Sequence, residues 1–168
     1  KTGKMRSGAG GWVEVDLDRA SPTVSISSPA ANSYLSTNQI TINASANDTR
    51  SGVQKVQFFV GYNEATGAGA QEEVDPPHPS LPDGAQAAGS SETSAQDYWH
   101  EIGWDDNGSD GWSFTWDASS IPDQGGVAFF VYAYDKAWNY QGAQNWPVAL
   151  DRTPPTSAIR SLPSYIGT

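Results

Sequence analysis

The side chains of this sequence that could do chemistry are mostly carboxylates, joined by one amide, and they stand in or beside turns. They are Asp16, Asp18, Asp48, Asp105, Asp106, Asp110, Asp135 and Asn139. Ca²⁺ binds oxygen ligands of this kind in flexible geometry. Carboxylates brought together without compensating cations repel each other, and a hard cation relieves that repulsion. The set therefore predicts a Ca²⁺ site, provided that the fold gathers these residues in one place.

Other chemistry has little support in the sequence. The chain has no cysteine, which excludes disulfides and thiolate ligands. His78 lies between prolines, His100 alternates with apolar neighbours, and neither belongs to a catalytic, phosphate-binding or zinc motif. We therefore predict no catalytic residue and a protein that is not an enzyme.

The charge balance narrows the class of partner. The formal net charge is −10 and the isoelectric point is about 4.3, so a nucleic-acid partner is disfavoured, because phosphate binding needs basic surface. No apolar run approaches the roughly 18 residues of a membrane span, and we expect no membrane insertion.

Short alternating strands must position the carboxylates. Residues 39–46 show the pattern well, since Ile40 and Ile42 fall on one face and Thr41 and Asn43 on the other. The predicted strands are 23–26, 39–46, 53–60, 98–104, 111–117, 127–135 and 144–150. No window has a convincing helical period. The fold class predicted is all-β, a seven-stranded immunoglobulin-like β-sandwich with one long loop insertion and strand-like extensions at the N-terminus.

Strand parity predicts where the carboxylates meet. If the strands run alternately up and down, the turns at 47–52, 105–110 and 136–142 share the pole where the first strand begins. The segment carrying Asp16 and Asp18 arrives at the same pole, which predicts an interdomain Ca²⁺ site. Residues 105–111 also resemble a calcium loop, without EF-hand spacing, while the Asn-Gly pair within them predicts a hairpin turn. The two interpretations of that segment are compatible.

A motif occurs twice, at residues 17–19 and 150–152. Each copy reads Leu-Asp-Arg, ends an alternating strand, and is followed by a proline three residues later. Such a strand and linker joins consecutive domains in a string. Alternatively, residues 13–17 could add to the sheet of a neighbouring copy and build a filament. The predicted junction residues are Val13, Val15, Leu17, Arg19, Trp146, Val148, Leu150, Asp151 and Arg152.

The motif copies also suggest the domain boundaries. We predict an N-terminal extension at 1–19, one domain at 20–152 and a linker or start of a following domain at 153–168. The domain contains an insertion at 61–96 that is rich in Gly, Ala, Ser and Pro. A connection of this length without its own elements is uncommon in a compact domain. We expect the insertion to lie at the pole opposite the carboxylates, against a neighbouring domain or subunit.

Several stretches resemble bacterial Ig-like domains. They are Pro22-Thr23-Val24-Ser25-Ile26, Val56-Gln57-Phe58-Phe59-Val60 and the strand end Ala133-Tyr134-Asp135-Lys136-Ala137-Trp138-Asn139, in which Trp138 stands where the family usually has glycine. The resemblance implies secreted or surface-exposed modules, often in tandem, that act as spacers or adhesive parts.

The leading hypothesis is a structural or adhesive module of a bacterial extracellular string or self-assembling fibre. Its partners would be neighbouring copies of itself or adjacent Ig-like domains. The alternative is a carbohydrate-binding or recognition module appended to a secreted enzyme, with a polysaccharide as its partner, since the faces of tryptophan and tyrosine rings stack on sugar rings. For that alternative, the candidate platform is Tyr98, Trp138 and Tyr140, because most other tryptophans lie at core phase on predicted strands.

Overall fold

The computed structural model describes residues 2–6, 12–63 and 98–158, with side chains from residue 17 onward. The strands are β1 (Thr2–Arg6), β2 (Trp12–Asp16), β3 (Thr23–Ser28), β4 (Tyr34–Leu35), β5 (Gln39–Asn47), β6 (Val53–Gly61), β7 (Trp99–Asp105), β8 (Trp112–Asp117), β9 (Gln124–Asp135) and β10 (Tyr140–Leu150). A 3₁₀ turn, η1 (Gly108–Asp110), precedes β8. None of the helical segments in these ranges has the length and hydrophobicity that a membrane crossing requires.

Two sheets form the predicted sandwich. One has the order β4-β10-β9-β6-β7 and the other the order β3-β5-β8. All the pairs are antiparallel except the short parallel pair of β4 with β10. The all-β, immunoglobulin-like prediction is confirmed. The count of seven was one short, because β4 is a two-residue strand that the alternation could not reveal.

The core between the sheets follows from the period-two patterns. Ile40 and Ile42 of β5 are buried while their neighbours are exposed. They face Val56, Phe58 and the inward residues of β9. The inward side chains of β8, including Trp116, close the core from the smaller sheet, as their shared phase predicts.

The outer face of the larger sheet carries a second apolar cluster. It contains Phe59, Tyr98, Trp99, Ala128, Phe130, Tyr132 and Tyr134, with Tyr140 and Trp146 packed against it. Both faces of β9 are thus buried, which explains its nearly uninterrupted apolar sequence. A register shift in β10 between Asn145 and Val148 places Trp146 in this outer cluster and Val148 in the core. Regular alternation along the predicted strand 144–150 would put Trp146 and Val148 on one face, and the register shift puts them on opposite faces instead.

The N-terminal strands make a sheet of their own. β2 pairs antiparallel with β1, with Arg6 opposite Trp12. Val13 and Val15, two of the predicted junction residues, belong to β2. The predicted insertion at 61–96 lies mostly outside the described residues, as do residues 159–168.

Candidate functional site

Three turns come together at the pole where β3 begins, as strand parity predicts. An open groove between them is lined by Asp48 of the β5–β6 turn, Asp106 and Trp112 of the β7–β8 connection, and Lys136 of the β9–β10 turn. The β7–β8 connection is not the hairpin that its Asn-Gly pair suggests. β7 pairs with β6 and β8 with β5, so the connection passes from one sheet to the other.

Three of the predicted carboxylates form a cluster at this pole. Asp18, Asp48 and Asp135 each place a carboxylate oxygen within 4.8 Å of the others. They come from the incoming segment, the β5–β6 turn and the end of β9, so the cluster joins parts of the chain that are distant in sequence. We call these three residues, with Asn139, the acidic cluster.

Asp135 is the buried member and organises the β9–β10 turn. It is fully buried, and its Oδ1 accepts hydrogen bonds from the backbone N–H groups of Ala137 and Asn139, both at 2.8 Å. Its Oδ2 accepts from Nδ2 of Asn139 at 2.7 Å. This bonding offsets the desolvation of a buried carboxyl and fixes Asn139 beside it.

Asp48 holds the β5–β6 turn from inside. Its Oδ1 accepts hydrogen bonds from the backbone N–H of Arg50 at 2.9 Å and of Gly52 at 2.8 Å, and from the hydroxyl of Ser51 at 3.5 Å. These bonds from described residues all go to Oδ1. Gly52 has φ of +78°, a conformation that favours glycine.

Asp18 ties the incoming segment to the pole. Its Oδ2 accepts from the backbone N–H of Ser51 at 3.0 Å, and its Oδ1 accepts from the backbone N–H of Ala20 at 3.0 Å. The bond from Ala20 is the main reason why the pKa of Asp18 lies below its ordinary value, and Ser51 lowers it further. Asn139 also donates to the backbone oxygen of Asp18 at 3.4 Å.

The cluster has little cationic compensation. Among the residues described with side chains, Arg152 and Asp123 form a close ion pair, but this pair lies at the other end of the domain and not in the cluster. Arg50 lowers the pKa of Asp18 only as the last of several causes, and its Nη1 donates to the backbone oxygen of Leu17 at 3.4 Å. The negative charges of the cluster are therefore held mainly by backbone N–H groups.

Asp105, Asp106 and Asp110 lie outside this cluster. Asp105 caps its own connection, since it accepts from the backbone N–H of Asn107 at 2.9 Å and of Ser113 at 3.0 Å. Asp106 lines the groove, and Asp110 is an exposed residue of η1. The side chain of Asp16 lies outside the described residues. Strand parity located the pole but could not show which of its carboxylates face each other.

At the opposite pole, Arg152 anchors the outgoing segment. Its Nε donates to Oδ1 of Asp123 at 2.7 Å and its backbone N–H to Oδ2 of Asp123 at 2.9 Å. Its Nη1 donates to Oδ1 of Asn38 at 2.8 Å and to the backbone oxygen of Ala118 at 2.9 Å, and Nη2 donates to the backbone oxygen of Ile121. The side chain of Arg152 is the strongest cause of the lowered pKa of Asp123. Neither Asp123 nor Asn38 was predicted as a functional residue, because an exposed acid or amide in a loop has no distinguishing sequence pattern.

The structure places the aromatic candidates differently from the prediction. Tyr98 is buried at 8% exposure and its hydroxyl donates to the backbone oxygen of Gly126, and Tyr140 is half-buried. Burial raises the pKa of Tyr98 to about 12. Trp138 is 50% exposed, as predicted, and Trp104 is 58% exposed. Trp104 was missed because Gly103 and a register shift in β7 turn it to the outer face.

A cation lies between the exposed rings. Nζ of Lys55 is 5.5 Å from the ring centres of Trp104 and Trp138 and 4.9 Å from that of Tyr134. The positive charge over these ring faces is a favourable cation–π arrangement. It also occupies faces that a sugar ring would need for stacking.

Comparison with known proteins agrees with this architecture. A family model described as "Bacterial Ig domain" matches residues 22–128. The chain belongs to the bacterial Ig domain family. Among solved structures, this bacterial Ig domain is similar to the fibronectin(III)-like modules of Clostridium thermocellum CbhA, with 15% identity over 79% of this chain and 100% of that chain, at a TM-score of 0.46. No curated protein matches the sequence.

Proposed function

We propose that this bacterial Ig domain is a structural module of an extracellular multi-domain string, and that its acidic cluster binds Ca²⁺ where the preceding segment enters. The observation that carries the proposal is the position of Asp18. This residue belongs to the incoming linker, yet its carboxylate lies within 4.8 Å of those of Asp48 and Asp135 on the domain. Three carboxylates this close repel each other, and a bound cation would relieve that repulsion.

The donor set suits a hard cation. In proteins Ca²⁺ binds carboxylate and amide oxygens in flexible geometry, with Ca–O distances of roughly 2.3–2.6 Å. The described hydrogen bonds of Asp48 use only Oδ1, so Oδ2 is available as a ligand. Rotating the amide of Asn139 would present its oxygen in place of its NH₂ group. An ion held by Asp18 together with Asp48 and Asp135 would restrict bending between the linker and the domain.

The pairing of the end strands supports a tandem string over filament growth by strand addition. β10 occupies the last-strand position of the larger sheet and pairs with β9 on one side and β4 on the other. β2, the segment that could add to a neighbour, pairs with β1 of its own chain. Strand addition would require β2 to leave β1, so it stays the less supported form of assembly.

Calcium dependence of the melting temperature tests the ion. For a Kd of about 0.1–1 mM, in the range of extracellular calcium modules, 10 mM Ca²⁺ should raise the free energy of unfolding by roughly 1.4–2.7 kcal/mol. Calorimetry of the full chain in Ca²⁺ and in chelator measures this difference. Asp48→Asn should reduce it strongly.

Asp106→Asn is the matched control, since it removes one carboxylate from the same pole outside the acidic cluster. It should keep the full response to Ca²⁺. A melting temperature that is the same in Ca²⁺ and in chelator would refute the ion site, and equal losses in the two variants would show only general charge screening.

A further inference from the structure

The two Leu-Asp-Arg copies lie in opposite environments. Leu150 is 2% exposed in the core, where it completes the strand β10, whereas Leu17 is 42% exposed. The same side chain at the same place in the motif is thus buried by its own domain in one copy and left at the surface in the other. The domain described here lies on the N-terminal side of Leu150 and on the C-terminal side of Leu17.

The aspartates share a local conformation but not a partner. Asp18 accepts from the N–H two residues on, that of Ala20, at 3.0 Å, and Asp151 accepts from the N–H of Thr153 at 3.3 Å. Asp18 also reaches forward to the N–H of Ser51. Asp151 is exposed, and the domain described here lies on its N-terminal side, whereas the same domain lies on the C-terminal side of Asp18.

The arginines differ in the reverse sense. Arg152 reaches back to Asp123, Asn38 and backbone oxygens of its own domain. Arg19 is exposed. In a preceding domain of the same kind, the residues at the positions of Asp123 and Asn38 would offer Arg19 the acceptors that Arg152 uses.

We infer that the Leu-Asp-Arg motif is a two-sided domain junction, and that each pole of this domain receives a further domain of the same kind. The leucine and arginine bind back to the domain whose last strand they end, and the aspartate binds forward to the acidic cluster of the next. This inference rests on the proposed tandem role and names its partner. The hydrogen-bonding groups are complementary, since the motif offers a guanidinium to Asp123 and its surrounding carbonyls and a carboxylate acceptor to the backbone N–H of Ser51.

The linker lengths agree with this arrangement. Three residues separate the arginine from the threonine that starts the next segment in both copies, Ala20-Ser21-Pro22 and Thr153-Pro154-Pro155. Proline fixes its backbone φ and stiffens such a short connection. A following domain would therefore stand at the same distance from Asp151 as the present domain stands from Asp18.

The full chain gives the first test, because the same substitution should have different effects in the two copies of the motif. Asp18→Asn and Arg152→Gln should each lower the melting temperature by about 2–4 °C. Asp151→Asn and Arg19→Gln, the same changes in the other copy, should leave it unchanged. Equal effects of the two aspartate variants, or of the two arginine variants, would overturn the inference.

A tandem protein gives the second test, in which residues 1–152 of one copy continue into residues 20–168 of another. Asp151→Asn should now lower the melting temperature of the second copy by about 2–4 °C and speed hydrogen exchange at its Ser51 amide. An Asp151→Asn tandem that melts and exchanges like its parent would overturn the inference.

Running the tandem in Ca²⁺ and in chelator separates the two proposals. If Asp151→Asn acts in the tandem while Ca²⁺ changes nothing, the ion site fails and the junction stands. If Ca²⁺ stabilises the single chain while Asp151→Asn has no effect in the tandem, the junction fails and the ion site stands.

Discussion

The two poles of this domain solve the same problem, the attachment of a linker, with opposite chemistry. At the incoming pole, where the segment before β3 joins the domain, the carboxylates of Asp18, Asp48 and Asp135 accept hydrogen bonds from backbone N–H groups. At the outgoing pole, the guanidinium of Arg152 is surrounded by a carboxylate, an amide oxygen and backbone oxygens. At the first pole, several anionic acceptors are bonded by backbone donors. At the second, one cationic donor group is bonded by several acceptors.

The difference concerns charge balance. The charge of Arg152 is met by Asp123 within the domain, so the outgoing linker is held without help from outside. The incoming pole collects three negative charges within 4.8 Å, which leaves room for a cation. The pole with an internal ion pair is the self-sufficient one, and the acidic pole is where an external ligand would change stability most.

Removing the buried carboxylate should have the largest effect on this comparison. Asp135→Ala leaves the N–H groups of Ala137 and Asn139 without their acceptor in a buried turn. We expect a loss of about 2–4 kcal/mol in the free energy of unfolding, measured by urea denaturation. The exposed Asp106 of the same pole is the control, and Asp106→Ala should change stability by less than about 0.5 kcal/mol.

An Asp135→Ala protein as stable as its parent would mean that the turn does not depend on this carboxylate. The acidic pole would then be held, like the outgoing one, by contacts of the linker alone.

The decrease in the free energy of unfolding at acid pH should contain a contribution from each pole. The pKa values of Asp18 and Asp123 are lowered by hydrogen bonds, from the backbone of Ala20 for the first and from the side chain of Arg152 for the second. A lowered folded-state pKa gives stability that is present above the unfolded value, near 3.8 for these groups, and is lost as pH falls through the folded value. Urea denaturation between about pH 2 and 6 should therefore show stability falling below about pH 4.

Arg152→Gln separates the two contributions to that decrease. The variant removes the main cause of the shift of Asp123 and leaves Asp18 untouched, so the acid loss should become shallower without disappearing. An unchanged slope would show that Asp123 contributes nothing to the pH dependence.

The sequence predicted most of the framework and part of the site. Alternation in β5 predicted which of its faces is buried. Strand parity placed Asp48 and Asp135 at one pole, because the position of a turn depends only on the direction of the strands that it joins. The identity of the clustered side chains was harder, since Asp105 and Asp48 look alike in sequence. Asp105 turns its oxygens to Asn107 and Ser113 of its own connection, and a connection between sheets cannot be told from a hairpin by its turn residues.

The same limit applies to the outgoing pole and the surface rings. The motif identified Arg152 but not its acceptors, which lie in loops that share no pattern with it. Trp104 faces outward because of a register shift beside Gly103, and an irregularity of one residue reverses the face that alternation predicts.

The smallest expected effect lies in the β9–β10 turn, where the backbone of Trp138 has φ of +66°. The conformation costs a non-glycine residue about 1 kcal/mol, whereas Gly126, near the outgoing pole, adopts φ of +73° without that cost. The ring of Trp138 offsets the strain by contributing about 0.5–1 kcal/mol beside Lys55. Trp138→Gly should therefore change the free energy of unfolding by less than about 0.5 kcal/mol, because it relieves the strain and loses the ring together.

Trp138→Ala is the matched variant, since alanine loses the ring but keeps the strain of a side chain at positive φ. It should be less stable than Trp138→Gly by about 1 kcal/mol in urea denaturation. Equal stabilities for the two would mean that the turn relaxes once the ring is gone. The positive φ of this turn would then be imposed by the packing of Trp138 on Lys55 and not by the hydrogen bonds of Asp135. The conformation of a turn at the acidic pole would therefore depend on the aromatic surface beside it.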